Sequence, residues 1–329
     1  MKIRLKSFLF CICTLILLCP AVLSGCSTPP KSERQQFTGL YFDTVIQVTV
    51  WGASDEILEE CEELCSRYER LFSRTIEDSD VSRINAAQGK PVEVDEETAA
   101  LIQIGLDYGE LSEGKFDITI GAVNSLWKFQ DNTGKALPDP AALSEALSHV
   151  DDRNVKIEGN TVTLTDPQAQ IDLGGIAKGY IADRLKEFLQ DSGVEHALIN
   201  LGGNVLALGG HYDGTPFEIG IQKPFAEKNE VLTTLEISDQ SVVSSGNYVR
   251  YFEKDGKIYH HILDTATGYP CENDLLQVTI LSDSSVDGDA LSTTCYALGL
   301  EKGMEFIETL DGVEAIFVTD DGALHYTDK

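Results

Sequence analysis

Five short stretches place Gly, Asp, His, Lys or Thr at turn-like positions, where side chains are free to do chemistry. In Gly288-Asp289-Ala290-Leu291-Ser292-Thr293, Asp289 and Thr293 lie four apart at an expected helix start, so their oxygens share a face. Asp289 there is either an N-cap or half of a hard-cation site. A few protein oxygens, completed by a substrate's phosphates, is the usual way Mg2+ is held. In Asp172-Leu173-Gly174-Gly175-Ile176-Ala177-Lys178-Gly179-Tyr180, two glycines precede a helix. They let backbone approach a ligand closely, the helix start favours phosphate, and Lys178 adds a cation. A turn-and-packing role is the other reading.

Three further stretches are more ambiguous. His261 and Asp264 share the loop His261-Ile262-Leu263-Asp264-Thr265-Ala266-Thr267-Gly268-Tyr269-Pro270, preceded by Ser245-Gly246-Asn247-Tyr248. A histidine suits proton transfer near neutral pH, with Asp264 as its candidate orienting partner. Gly114-Lys115-Phe116-Asp117 is either a helix-ending glycine followed by a strand, or a place where Phe116 and Asp117 meet a ligand. Asn200-Leu201-Gly202-Gly203-Asn204 reads equally as a tight corner or a ligand contact. Other chemistries find no support: Walker A, GxGxxG, GxSxG and HExxH spacings are all missing.

The elements that must position these residues are mixed. Thr44–Val50 is a β-branched run and reads as a strand. Ile57, Leu58, Cys61, Leu64, Cys65, Tyr68, Leu71 and Phe72 recur at helical spacing over 54–72. Further helices are expected over 95–111, 141–149, 176–190, 289–299 and 303–310. Strands are expected over 161–165, 197–201, 231–237, 276–281 and 315–319. No regular βα alternation and no internal repeat emerge, so the class is α+β. The 329 residues are 42% hydrophobic and carry a formal charge of −29. That is ample for a core, and it argues against nucleic acid, which needs a basic footprint. An anionic ligand would need a metal, backbone N–H groups or a few placed cations.

The N-terminus stands apart. Lys2, Arg4 and Lys6 precede an apolar run from Phe8 to Leu18, then Leu23-Ser24-Gly25-Cys26. This is the pattern of a secretory signal, and its end resembles a bacterial lipobox. Residues 1–25 are therefore expected to be a lipoprotein signal peptide, Cys26 the lipidated residue, 26–38 a tether and 39–329 the folded unit. Cys61 and Cys65 share a helix face, as apolar core residues or as a disulfide or metal pair.

Taken together, the clusters resemble the ApbE family of FAD:protein FMN transferases, from about Leu40 to the C-terminus. Asp172–Tyr180 matches its DLGGIAKGY-like run, His261–Pro270 its HxxDPxTGxP run, Phe116-Asp117 its GxFD motif, Ser73–Asn85 its FSxxxxxSxxsxiN stretch, and Asp289–Thr293 its DAxxT motif. The resemblance implies a T-fold-like single unit of mixed sheets packed with helices. It implies Mg2+ on Asp289, Thr293 and the carbonyl of Gly175, with FAD as substrate. Phe42, Lys115, Phe116, Asp117, Asp172 and Lys178 would line the FAD site, with His261 near the reacting diphosphate. FMN would pass to a Thr or Ser hydroxyl of an acceptor flavoprotein, releasing AMP, at the outer face of the cell membrane. An FAD pyrophosphatase and a non-catalytic flavin-binding lipoprotein are the alternatives. Departures from the pattern are Phe42-Asp43-Thr44 for Met-Gly-Thr, Thr75 for Tyr, Thr265 for Pro and Gly288 for Ala.

Overall fold

β-branched and aromatic runs pair into hairpins, and the helices bury their apolar stripes against them. A computed structural model describes residues 33–129, 136–227 and 230–327. The chain opens with β1 (Arg34–Tyr41) and β2 (Thr44–Trp51), then α1 (Asp55–Phe72), α2 (Asp80–Ala86), β3 (Val92–Glu93), α3 (Glu96–Leu111), α4 (Gly121–Asn124) and α5 (Pro140–Leu147). Next come β4 (Val155–Glu158), β5 (Thr161–Leu164), α6 (Ala177–Asp191), β6 (Ala197–Leu201), β7 (Asn204–Leu208), β8 (Phe217–Gln222) and β9 (Val231–Ile237). It closes with β10 (Ser241–Gly246), β11 (Tyr251–Lys254), β12 (Lys257–His260), β13 (Leu275–Ser282), α7 (Ser285–Leu298), α8 (Leu300–Glu308), β14 (Glu314–Thr319) and β15 (Leu324–Tyr326).

Eight strands form the main sheet in the order β1-β2-β6-β7-β10-β13-β14-β15, and every pairing is antiparallel. Three small sheets, β3-β5-β4, β8-β9 and β11-β12, sit around it. The α+β class therefore holds. The largest core lies between the β2–β6–β7 part of the sheet and α1, α3 and α6, with Ile46, Val48, Ile181, Leu185 and Ile199 fully buried. A second core packs α7 and α8 on β13 and β14 through Tyr296, Ile307 and Phe317. Cys61 and Cys65 are buried members of the α1 stripe with free thiols. Burial pushes both thiols up to about 12, as inert core cysteines require.

Four expectations need correction. β1 begins at Arg34, so its first residues fall inside the stretch read as tether. No strand follows Gly114; the chain runs irregularly to α4, with Ile120 making only an isolated bridge to Gln170. α7 starts at Ser285, because Ser284 caps it and receives the Asp287 N–H, so Asp289 lies a turn inside the helix and not at its start. α8 starts at Leu300, directly after Gly299, and ends at Glu308. The expected signal peptide and Cys26 lie outside the described residues.

Candidate flavin and metal site

Two helices cross at the centre of the site, and each caps the other. Gly179 lies at the crossing: a Cβ there would come within 2.2 Å of the Ser285 carbonyl oxygen. Only a glycine lets the α6 backbone approach α7 so closely. From α7, Asp289 Oδ2 accepts the Gly179 N–H at 2.7 Å. From α6, Asp183 accepts the N–H groups of Ser285 (2.8 Å) and Val286 (2.9 Å) and the Ser284 hydroxyl (3.1 Å). These carboxylates satisfy donors that a helix start leaves orphaned, and each favours the positive end of the other helix. Burial raises the Asp183 pKa despite those donors. Asp183 carried no sequence signal of its own.

Asp289 sits against the first turn of α6. Its Oδ1 is 3.5 Å from Lys178 Nζ, and its side chain is 7% exposed. Ile176 and Ala177 N–H both reach the Leu173 carbonyl, and Tyr180 N–H reaches that of Ile176. Gly179 N–H, which would extend this ladder back to Gly175, goes to Asp289 instead. Among the described residues, the Gly175 carbonyl receives no backbone donor. Thr293 Oγ1 has one long contact, 3.4 Å to Ser245 Oγ, while Ser292 takes the closer bond to Ser245 at 2.8 Å. A carboxylate, a hydroxyl and a carbonyl with spare lone pairs are hard oxygen donors, and this set fits Mg2+ better than a soft metal. Gly288, where the family pattern has Ala, is explained by packing: a Cβ would sit 2.6 Å from Val243 Cγ2.

The Gly174-Gly175 turn is held from below. Asn85 grips Ile171 twice, donating to its carbonyl (2.9 Å) and accepting its N–H (2.7 Å). Asp172 accepts from Gly174 N–H (2.8 Å), Arg74 (2.8 Å) and Asn124 (2.6 Å). With three donors in place, its carboxylate shapes the turn. Phe116 is buried, and its ring edge lies 3.2 Å from where a Gly175 Cβ would be. It supports the turn from the core side. Arg74, Asn85 and Asn124 were not singled out from sequence, although Arg74 and Asn85 fall within the Ser73–Asn85 stretch.

The histidine loop supplies the other wall. His261 N–H donates to the Arg250 carbonyl, and its Nδ1 is buried with no partner among the described residues. Burial, then the charges of Arg250, His260 and Lys178, push its pKa down to about 3, so the imidazole is neutral. Asp264 does not orient it. One oxygen of Asp264 accepts the N–H groups of Ala266 (2.8 Å) and Thr267 (3.0 Å), and the other lies 3.4 Å from Lys115 Nζ. Asp264 is thus a loop-shaping residue that also pairs with Lys115. Thr265, standing where the pattern has Pro, donates to the Gly114 carbonyl at 2.6 Å and ties the same two loops together. Asp117 accepts from the N–H (2.7 Å) and hydroxyl (2.6 Å) of Thr119; burial nonetheless raises its pKa. Phe42 sits in the β1–β2 turn at φ 55°, its N–H on Glu69 (2.7 Å) and its ring beside Tyr41, so its contacts run toward α1.

The structure thus brings Gly175, Lys178, Asp289 and Thr293 to one crossing, with His261 close enough to feel the Lys178 charge. Lys115 and Asp264 meet beside them. The ApbE family model matches residues 42–317. FAD:protein FMN transferase of Klebsiella pneumoniae is 38% identical over 286 residues, covering 86% of this chain and 88% of its own. That of Treponema pallidum is 37% identical over 280 residues, covering 80% and 77%. Among solved structures, the ApbE protein of Thermotoga maritima superposes with a TM-score of 0.82 at 31% identity, covering 90% of this chain and 97% of its own. Flavin transferase ApbE of Vibrio cholerae gives 0.80 at 27%, covering 90% and 96%. The chain belongs to the ApbE family.

Proposed function

We propose that this protein transfers FMN from FAD to a Thr or Ser hydroxyl of an acceptor flavoprotein, releasing AMP. The observation that carries this reading is the seat of Asp289 on the first turn of α6, beside Lys178 and the free Gly175 carbonyl. In so acidic a chain, such a cluster is the means of gripping a diphosphate. Asp289, Thr293 and the Gly175 carbonyl would hold Mg2+. A bound Mg2+ supplies charge neutralisation at the diphosphate oxygens.

The chain's own residues do the rest. Lys178 offsets phosphate charge from the side of α6. The Asn85, Arg74 and Asn124 contacts hold the glycine turn in a fixed shape, so the backbone needs no rearrangement when substrate arrives. His261 is neutral and has a bare ring nitrogen. An anionic diphosphate nearby raises its pKa, which suits it to take the proton of the acceptor hydroxyl. That oxygen then bonds to the FMN phosphorus, the phosphorus–oxygen bond to the AMP half breaks, and AMP carries off the electron pair.

The test is incubation with FAD, Mg2+ and an acceptor flavoprotein, read by intact mass. Wild type should add one FMN unit, and Asp289→Ala or chelator should abolish it. FMN and AMP released at full rate without acceptor would mark a pyrophosphatase instead. Tight FAD binding without any product would mark a carrier. We also propose cleavage after Gly25 and lipidation at Cys26, which would hold the enzyme at the outer face of the membrane. Among the described residues no helix is long and apolar enough to cross one. Loss of membrane association on Cys26→Ala tests this.

A further inference from the structure

We infer that Ser245, near the end of β10, is a positioning residue for the cation: it accepts the hydrogen of the Thr293 hydroxyl and so leaves both lone pairs of that oxygen free for the metal. The inference rests on the metal seat proposed above and adds a residue to it.

β10 lies along α7, and residues two apart on a strand share a face. Val243 and Ser245 both meet the helix. Val243 packs at Gly288, where a Cβ would sit 2.6 Å from its Cγ2. Ser245 reaches the next turn, with Ser292 Oγ at 2.8 Å and Thr293 Oγ1 at 3.4 Å. The glycine lets the helix settle close enough for a strand serine to reach a candidate metal ligand. Ser244 points to the other face and bonds Thr279 (2.8 Å) and Gln277 (3.3 Å).

The direction of the three hydroxyl hydrogens follows from matching each with an acceptor. Ser292 Oγ lies 3.1 Å from the Asp289 carbonyl, which can only accept. Ser292 therefore donates there, Ser245 donates to Ser292, and Thr293 donates to Ser245. In the reverse order, Ser292 would give its hydrogen to Ser245, and Ser245 its own to Thr293. The Asp289 carbonyl would then lose its hydroxyl donor, and the Thr293 hydrogen would have no acceptor among the described residues. Ser292 is fully buried, and buried hydroxyls keep their hydrogens placed. The forward order is the one that places all three.

The next residue shows what Ser245 prevents. The Thr294 hydroxyl turns back onto the Ala290 carbonyl, four residues earlier, at 2.8 Å, as helical Ser and Thr commonly do. The same turn at Thr293 would aim its hydrogen at the Asp289 carbonyl and rotate its lone pairs away. Ser245 holds the hydrogen on the strand side instead. The chain from Thr293 through Ser245 and Ser292 to the Asp289 backbone joins the two side chains proposed to hold the cation. Partners behind a ligand fix its orientation in this way, and losing one typically weakens metal binding by about 10–100-fold.

Uptake of Mn2+, read from the electron spin resonance of the free ion and reversed by Mg2+, tests this without FAD or turnover. Wild type should bind a Mn2+ ion that Asp289→Ala does not, which separates the seat from other acidic positions of the chain. Ser245→Ala should weaken that uptake by about tenfold or more. Ser245→Thr keeps the hydroxyl and should restore it, while Ser244→Ala, on the other face, should match wild type. Metal-free urea unfolding checks that each variant is folded. Should Ser245→Ala bind as tightly as wild type, or Ser244→Ala weaken uptake just as much, the inference falls while the metal seat stands. If wild type shows no uptake that depends on Asp289, the metal reading falls and takes the inference with it.

Discussion

At the α6–α7 crossing, the candidate metal ligand Asp289 and its counterpart Asp183 hold the helices together. Asp183 caps α7, Asp289 caps α6, and Gly179 makes their approach possible. The His261–Pro270 loop is built differently. Its shape comes from Asp264 and Thr265, while the candidate base His261 bonds through its backbone and leaves its ring unpartnered. The contrast says which half of the site can be altered alone. Changes at the candidate metal half should be felt by the fold, whereas changes to the candidate base should leave the scaffold in place.

The severest test of that contrast is Gly179→Ala. The new methyl would overlap the Ser285 carbonyl at 2.2 Å and Val286 Cα at 2.6 Å, and both are backbone atoms that cannot swing aside. We expect a loss of at least about 3 kcal/mol, read as a large fall in the denaturant midpoint, together with loss of FAD binding. A fold that accepts this alanine unchanged would mean the helices do not meet so closely.

Asp289 separates the two contributions more finely. Asp289→Asn keeps an acceptor for the Gly179 N–H and loses the charge, whereas Asp289→Ala loses both. Both variants should lack flavin transfer. Asp289→Ala should lose about 1–2 kcal/mol of stability as an uncapped helix does, and Asp289→Asn clearly less. Equal stability for wild type and Asp289→Ala, by thermal or urea unfolding, would show that capping across the crossing contributes nothing.

The same contrast explains what the sequence could reveal. Helices with a clean apolar stripe, such as α1 and α6, and strands of β-branched runs, such as β2 and β6, lie within a residue or two of their expected bounds. β7, β8, β10, β11 and β12 were not expected. β7 is buried at every position, so it has no alternation to read, and β11 and β12 are four-residue arms of a small hairpin. The start of α7 was legible in principle: Ser284 and Asp287 form a Ser-x-x-Asp capping pattern that the motif around Asp289 obscured. Candidate residues in glycine or histidine loops could be picked out from the sequence because those loops carry local signals. Residues acting across the fold, such as Asp183 on α7 or Asn85 on Ile171, pair with positions about a hundred residues away and leave no local trace.

His261→Gln examines the removable half. We expect transfer to fall by 10²-fold or more, on the scale of general base catalysis, with neutral-pH stability near wild type. The pH dependence of stability should also change. Unfolded histidines take up protons near 6.5, while His260 and His261 in the fold do so only near 4 and 3. The unfolded chain therefore binds more protons across that interval, so stability is complete above about pH 6.5 and falls on acidification. His260 alone accounts for roughly 3 kcal/mol at most. His149 works in the opposite direction: its bond to Asp166 raises its pKa, so its contribution is lost as pH rises. Urea unfolding between about pH 4 and 7 should show a shallower acid limb for His261→Gln. An unchanged limb would mean that His261 titrates normally in the folded protein.

Thr265→Val is expected to have the smallest effect and to draw the sharpest line between the regions. The hydroxyl bonds the Gly114 carbonyl at 2.6 Å and, with the Lys115–Asp264 pair, sets the spacing of two loops flanking the site. Valine keeps the branched shape and removes the donor, so the stability cost should be about 1 kcal/mol. Because Lys115 is also the residue that would meet FAD, loosening this tie should raise the KM for FAD more than it lowers kcat. Thr265→Ser should restore the wild-type value, since it returns the hydroxyl. A Thr265→Pro variant adds a further comparison. It supplies the residue usual in the family, fixes φ, and removes the same bond. If it binds FAD as well as wild type does, loop rigidity is the common requirement, and the hydroxyl is this chain's own way of meeting it.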